Sequence, residues 1–491
     1  MSHPPHHGRP PRPDERHQQP ASAPLPPLAP PTLPSPVVQI PPDPAPSPAR
    51  RPVWRRPAVL GLVLALVLGA GGWGLWSYLG HGGPGRKTPA AAKDAAGTVA
   101  WKAGARTKPD DKGMKEALGT WFTSSLVVKA EPDMVTAYDV RTGEKKWSFL
   151  LAGPLCAASR ESEDNIAVVA VQFAGVCARM MAVDLRDGHR VWDELIVDEK
   201  EGAEALTPGK WKKAGLEIAL HHGHVYALWA TGGQTRRLTD GKRVEEEKRD
   251  ACEMVDTAGG DQLIAITYCG DKGTTIRSLD PEKLEKPRWS RKIEEKQDGI
   301  LSIVSTSPLV LTQSPGKAGP DARFDFVVLD PSSGKEKTRV PYNSFWRLGV
   351  CFLPTSGCTG ALTDNTSLYV AGKGVTMAYD LTTGKERWTY KADASRVTLP
   401  VSVRDGEVAA YTPATAERRG RVTYVSAASG KSLRTVEHSD READRRNEAM
   451  MARIDGYPRL RNDRLLLIND GAYDDAGSGM IFAINAPSDD D

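Results

Sequence analysis

The residues with the most reactive side chains in this 491-residue chain are six cysteines, a run of histidines and a cluster of aspartates. Cys156, Cys177, Cys252, Cys269, Cys351 and Cys358 could form disulfides or bind metal. No pair has the short Cys-x-x-Cys spacing that zinc sites favour, so disulfides in an oxidising exterior are expected. Six cysteines allow about 15 pairings on sequence alone. His221, His222 and His224 sit close enough to suggest a metal ligand set, but a polar loop between strands is the expected reading. Asp463, Asp470, Asp474 and Asp475, interleaved with Gly471, Gly477 and Gly479, are oxygen donors of the kind hard cations prefer. Their spacing does not match an EF-hand loop, and a solvated turn is expected. No Gly-x-Ser-x-Gly, P-loop or His-Glu-x-x-His sequence is present. No catalytic, cofactor-binding or metal-binding residue is therefore assigned.

The elements that would position these residues come from a repeat. Ala137-Tyr-Asp139-Val-Arg-Thr-Gly143-Glu-Lys-Lys-Trp147 returns as Ala182-Val-Asp184-Leu-Arg-Asp-Gly188-His-Arg-Val-Trp192 and as Ala378-Tyr-Asp380-Leu-Thr-Thr-Gly384-Lys-Glu-Arg-Trp388. Each copy reads as a strand, a tight turn and a returning strand. The Asp side chain can accept from backbone N–H groups two or three residues on. The Gly supplies a position of positive φ. The Trp can bury its face against a neighbouring hairpin while its N–H finds an acceptor.

Weaker copies fill the gaps. Asp280 leads to Trp289 through a longer turn without the Gly. Asp330 and Gly334 keep the turn but have Thr338 in place of Trp. Ser426 and Gly430 keep it with Arg434. Thr239-Asp240-Gly241-Lys242 reads as a shortened hairpin turn, and Ala483-Ile484-Asn485 ends where another turn would begin. Occurrences about 40–60 residues apart, each with two further strand candidates, predict a β-propeller of four-stranded antiparallel blades. The last unit lacks its outer strand, and Gly97-Thr-Val-Ala-Trp101-Lys-Ala-Gly104 is a spare one. Eight blades are expected, closed by this N-terminal strand with Trp101 in the repeat position; seven is the alternative, because the unit at 205–250 is degenerate.

The Ala-x-Asp-x-x-Thr-Gly-x-x-x-Trp pattern resembles the repeat of PQQ-like β-propellers, over roughly 97–487. That family includes quinoprotein alcohol dehydrogenases and an outer-membrane assembly lipoprotein that uses the fold as a scaffold. In the family's enzymes the resemblance implies a quinone on the propeller axis, beside a calcium ion, a catalytic Asp and a disulfide between adjacent cysteines. This chain has no Cys-Cys pair and singles out no Asp as a base. No quinone cofactor is expected, and the chain reads as a scaffold rather than a dehydrogenase. The blade model favours local disulfides: Cys156 with Cys177, Cys252 with Cys269, and Cys351 with Cys358.

Outside the propeller, residues 1–57 hold twenty of the chain's 38 prolines and are expected to be a disordered cytoplasmic tail. Ala58–Leu79 carries no charge and is long enough to span a bilayer as a helix. Arg50, Arg51, Arg55 and Arg56 precede it, which places the N-terminus inside and the propeller outside. Residues 80–96 read as a flexible tether. The 65 basic and 62 acidic residues nearly balance, which is no nucleic-acid footprint. Arg441–Arg453 has helical character and is expected as an insertion helix before the last blade. The sequence thus points to a single-pass, bacterial, extracytoplasmic binding or scaffold module for an unknown protein or cell-surface ligand. The alternatives are a quinone- or metal-dependent enzyme using the axial funnel, and the sensor part of a signalling system.

Overall fold

The computed structural model describes residues 95–104, 115–173, 175–196, 216–248, 252–293, 302–313, 324–342, 358–452, 456–472 and 479–487. The expected tail, membrane span and nearly all of the tether lie outside the described residues. Among the described residues, no helix is long and apolar enough to cross a membrane.

The described chain is all-β apart from a helix at Glu442–Met451, near the position expected for it, and a short 3-10 turn at Gly270–Lys272. The strands form successive four-stranded antiparallel meanders. We number these sheets by their spans: 1 (120–150), 2 (155–195), 3 (217–248), 4 (253–293), 5 (302–342), 6 (361–391), 7 (397–437) and 8 (456–485 with 99–104). Sheets 6 and 7 are joined by a short pairing of Gly372 and Lys373 with Thr398 and Val397. In each sheet the second strand is among the most buried and is rich in Val, Ile, Leu or Ala, as a strand covered on both faces requires, while the third is more mixed, down to Gly-Gly-Gln-Thr-Arg-Arg in sheet 3.

The core is not one mass but a series of interfaces. One cluster of buried apolar side chains lies between each sheet and the next, and a further one lies between sheet 8 and sheet 1. The array therefore closes on itself.

The closing strand rebuilds the repeat from the two ends of the chain. Strand Val99–Gly104 pairs with Gly479–Asn485, and Trp101 stands opposite Ala483. Trp147 stands opposite Ala137, Trp192 opposite Ala182 and Trp388 opposite Ala378 in the same way. The Gly97 N–H donates to the Asn485 carbonyl at 2.7 Å, as Gly143 does to Asp139 at 2.8 Å. One motif is thus split, with Asn485 in the Asp position and Gly97 and Trp101 in theirs.

The repeat residues clasp neighbouring sheets. A Trp on the last strand of one sheet covers the turn Gly of the next: Trp101 covers Gly143, Trp147 covers Gly188, Trp192 covers Gly241, Trp289 covers Gly334 and Trp388 covers Gly430. The indoles of Trp101, Trp192, Trp289 and Trp388 donate to the carbonyls of Val140, Leu238, Pro331 and Ala427 at 2.7–2.9 Å. Thr338 uses its hydroxyl instead, donating to Thr382 O at 2.9 Å beside Gly384. Asp139, Asp330 and Asp380 accept from two successive backbone N–H groups at 2.8–3.0 Å, and Asp184 accepts from one. These bonds hold the Asp380 carboxyl below its ordinary pKa, the Thr383 N–H first among them. A β-carbon at Gly143, where φ is +71°, would lie 2.5 Å from the Trp101 ring. Gly143→Ala should therefore lower stability by about 1–3 kcal/mol in urea unfolding.

The degenerate region follows the same logic. Gly241 donates to Arg237 O at 2.9 Å, four residues back, so this turn is full length and not shortened. Arg237 stands where the strong copies have Asp, and that substitution hides the register. Sheet 3 has Glu245 in the Trp position, opposite Thr235, and the sheet 4 turn after Asp280 has no Gly. With both halves of the clasp missing, Leu284 from that longer turn is fully buried against Tyr226 and Leu228.

Candidate functional site: the central polar cluster

The first strands of successive sheets lie against one another, so the segments leaving them converge. Most of these exits are tight turns. In sheet 2 the exit is longer, Ser159-Arg160-Glu161-Ser162-Glu163, and it reaches across three other sheets. Arg160 Nη2 donates to Asp256 Oδ1 of sheet 4 at 2.7 Å, and Nη1 to the Ile303 carbonyl of sheet 5 at 3.3 Å. Glu161 accepts from Leu220 N of sheet 3 at 3.2 Å and from Gly259 N at 2.8 Å. Glu163 accepts from Gly223 N at 2.8 Å.

Asp256 is fully buried and saturated. Its Oδ1 also accepts from the Thr257 N–H at 2.8 Å, and its Oδ2 accepts from Ile303 N at 2.6 Å and Ser302 Oγ at 3.1 Å. Burial pushes the Asp256 carboxyl above its ordinary pKa, against the pull of Arg160. Glu161 is shifted upward for the same reason, with Arg160 again opposing. On the sheet 8 side, Arg459 is half-buried over the Tyr457 ring at 4.9 Å, and Arg461 lies over the Phe122 ring of sheet 1 at 4.8 Å. Desolvation lowers the Arg459 guanidinium pKa.

This centre is a set of inter-sheet ties. Each oxygen of Asp256 and of Glu161 already accepts a hydrogen bond within the protein. Among the described residues these carboxylates do not fit a calcium ion held beside a quinone, and no step through such a group is derived.

Four of the six cysteines are placed as the blade model expects. Cys156–Cys177 and Cys252–Cys269 are disulfides, closing 21 and 17 residues of separation. Each ties the start of a first strand to the hairpin of the second and third strands of its own sheet, Cys177 at the start of the third strand and Cys269 in the turn before it. Cys358 is buried and no cysteine among the described residues is free, while Cys351 lies outside the described residues.

Among the described residues, the histidines and aspartates offered as metal candidates by the sequence do not come together as one ligand set. His221 ends a first strand and its Nδ1 meets Gly260 O at 2.6 Å; its ring stacks on His222 at 4.1 Å. Burial lowers the His221 pKa. Asp463 pairs with Arg464 at 2.8 Å and Asp470 with Lys129 at 2.7 Å, so the two serve different partners. Asp474 and Asp475 lie outside the described residues. Asp184, Asp187 and His189 do come within ligand distance of one another. There Asp184 is engaged by Arg186 and Asp187 by His189. The central Arg160, Glu161 and Asp256 were not singled out in the sequence, where a polar turn and a single strand Asp carry no signal of meeting.

Sheets that each pack on the next and close by a strand from the opposite end define a β-propeller. A family model described as outer membrane protein assembly factor BamB matches residues 90–267 and 272–479, and the chain belongs to this PQQ-like propeller family. Among solved structures, BamB from Moraxella catarrhalis is similar at 13% identity, over 77% of this chain and 98% of that one, with a TM-score of 0.42. Quinohemoprotein alcohol dehydrogenase from Comamonas testosteroni is similar at 12% identity, over 82% and 78%, with a TM-score of 0.45. The computationally designed Ika8 protein is similar at 11% identity, over 79% and 99%, with a TM-score of 0.44. No curated protein sequence matches the chain.

Proposed function

We propose that this chain is a membrane-anchored, extracytoplasmic propeller of eight blades that serves as a non-catalytic binding scaffold for a protein partner. The observation that carries this reading is the central cluster, whose acids are spent on joining sheets 2, 3, 4 and 5. A centre committed to structure leaves binding to the rims, where loops project from a rigid frame. Membership of a family described as an assembly factor points the same way. The count of eight rests on the split motif that makes sheet 8 a complete unit. The disulfides suit an oxidising exterior, and anchoring rests on the uncharged stretch 58–79 behind its four arginines.

The test is a pull-down from solubilised membranes with the full-length chain as bait, beside an absorption spectrum with and without added quinone and calcium. A stoichiometric protein partner and no quinone band is the expected result. A stoichiometric quinone band would replace the scaffold reading with the enzyme one.

A further inference from the structure

A cleft of about 600 Å³ opens between sheets 2 and 3, well away from the central cluster. Phe173, Leu195 and Ile196 supply its apolar wall. Arg179, Arg236 and Arg243 line it together with Asp193 and Glu194. Counting Glu246, the partner of Arg243, three carboxylates face these three guanidinium groups, but they do not match them equally well.

Arg236 is the least closely matched of the three. Arg179 is matched by Asp193 in a two-point contact at 2.6 and 2.9 Å, and Arg243 by Glu246 at 2.8 Å. The Arg236 side chain is only 9% exposed, and its nearest carboxylate, Glu194, is 3.9 Å away and half in solvent. Its Nη1 and Nη2 donate to the carbonyls of Gly241 and Leu195 at 2.8 and 2.6 Å. Its Nε–H is buried with no acceptor. Carbonyls satisfy donors but do not neutralise charge, and a desolvated guanidinium strongly favours an anionic acceptor. Phe173 is 39% exposed at the end of its strand, a large apolar face left to solvent.

We propose that this cleft binds a small organic monocarboxylate with an aromatic or apolar body, its carboxylate drawn to Arg236 and its body covering Phe173, Leu195 and Ile196. A dianion such as phosphate is disfavoured by Asp193 and Glu194 in the same lining, while a neutral ligand leaves Arg236 with only the distant, half-exposed Glu194 to answer its charge.

The test is calorimetric titration of the full-length chain with phenylacetate at neutral pH and constant ionic strength. One saturable site with a Kd on the order of 1 mM is expected for a ligand of this size. Phenylacetamide, equal in shape and uncharged, should bind at least about 10-fold more weakly. Arg236→Gln removes the charge while keeping a polar side chain and should weaken phenylacetate by at least about 10-fold. Phe173→Ala removes an exposed ring, leaves the core intact and should weaken it about 5-fold. Thermal melts of both variants establish that they fold. The proposal is overturned by no saturable heat up to about 20 mM phenylacetate, by amide or inorganic phosphate binding as tightly as the carboxylate, or by Phe173→Ala retaining wild-type affinity.

Discussion

Lys129→Met should destabilise the protein by about 3–5 kcal/mol, the cost of leaving one partner of a buried ion pair unanswered. Lys129 lies on the second strand of sheet 1 and is wholly buried. Its Nζ donates to Asp470 Oδ1 at 2.7 Å and to Thr120 Oγ1 at 3.1 Å, and it also meets the carbonyls of Ala117 and Gly119. Asp470 follows the second strand of sheet 8, and its carbonyl accepts from the Ala117 N–H at 2.7 Å. The pair therefore pins the first sheet to the last through residues 341 positions apart. The pairing of Lys115 with Ala472 and Glu116 with Gly471 runs beside it. Lys129→Met combined with Asp470→Leu should recover most of the loss, since an apolar pair of similar volume needs no charge compensation. Urea unfolding reads the stability. Hydrogen exchange reads the place, because the single variant should speed exchange in Val99–Gly104 more than in sheet 4. A single-variant loss under about 1 kcal/mol would show that the pair does not hold the seam.

The contrast between this pair and the repeat shows what a linear sequence can reveal. Asp139, Gly143 and Trp147 lie within nine positions, and each does a job that local chemistry dictates: an Asx turn, a left-handed residue, a flat side chain. The expectation that Trp101 belongs to the last sheet also held, because a unit lacking its outer strand and an unused strand at the other end are both readable. The three expected disulfides followed from the same frame, and two of them lie wholly among the described residues. Lys129 and Asp470 are 341 positions apart. Neither belongs to a motif, and a lysine on a strand gives no sign that it is buried. Arg160 was hidden differently, inside a polar turn whose composition is that of any solvent-exposed loop. Where the repeat decayed, at Arg237 and Glu245, the local signals failed and the turn was misread as short. There the fold is kept by Leu284, a substitute at a position the motif does not contain.

Arg160→Met should give a loss of similar size, about 3–5 kcal/mol at neutral pH, but with a pH dependence of its own. In the intact protein Arg160 is the cation facing both Asp256 and Glu161, whose pKa values burial raises. A carboxyl with a raised folded pKa ionises first in the unfolded chain. Its penalty is absent below the unfolded value and grows as pH climbs through the window up to the folded one. Removing Arg160 takes away the opposing attraction, so both folded values move further up and the window widens. The variant should accordingly sit closest to wild type near about pH 4, where unfolded Asp and Glu are themselves half protonated, and fall behind as pH rises. Arg160→Lys should restore part of the loss by returning the charge without the two-point reach to Asp256 and the Ile303 carbonyl. Unfolding midpoints for the three proteins at acid and neutral pH decide the matter. A Met variant equally destabilised at both would mean that Arg160 acts by packing alone. In that case the converging sheets are held by the hydrogen bonds of Asp256 and Glu161 to Ile303, Leu220 and Gly259, with no contribution from charge.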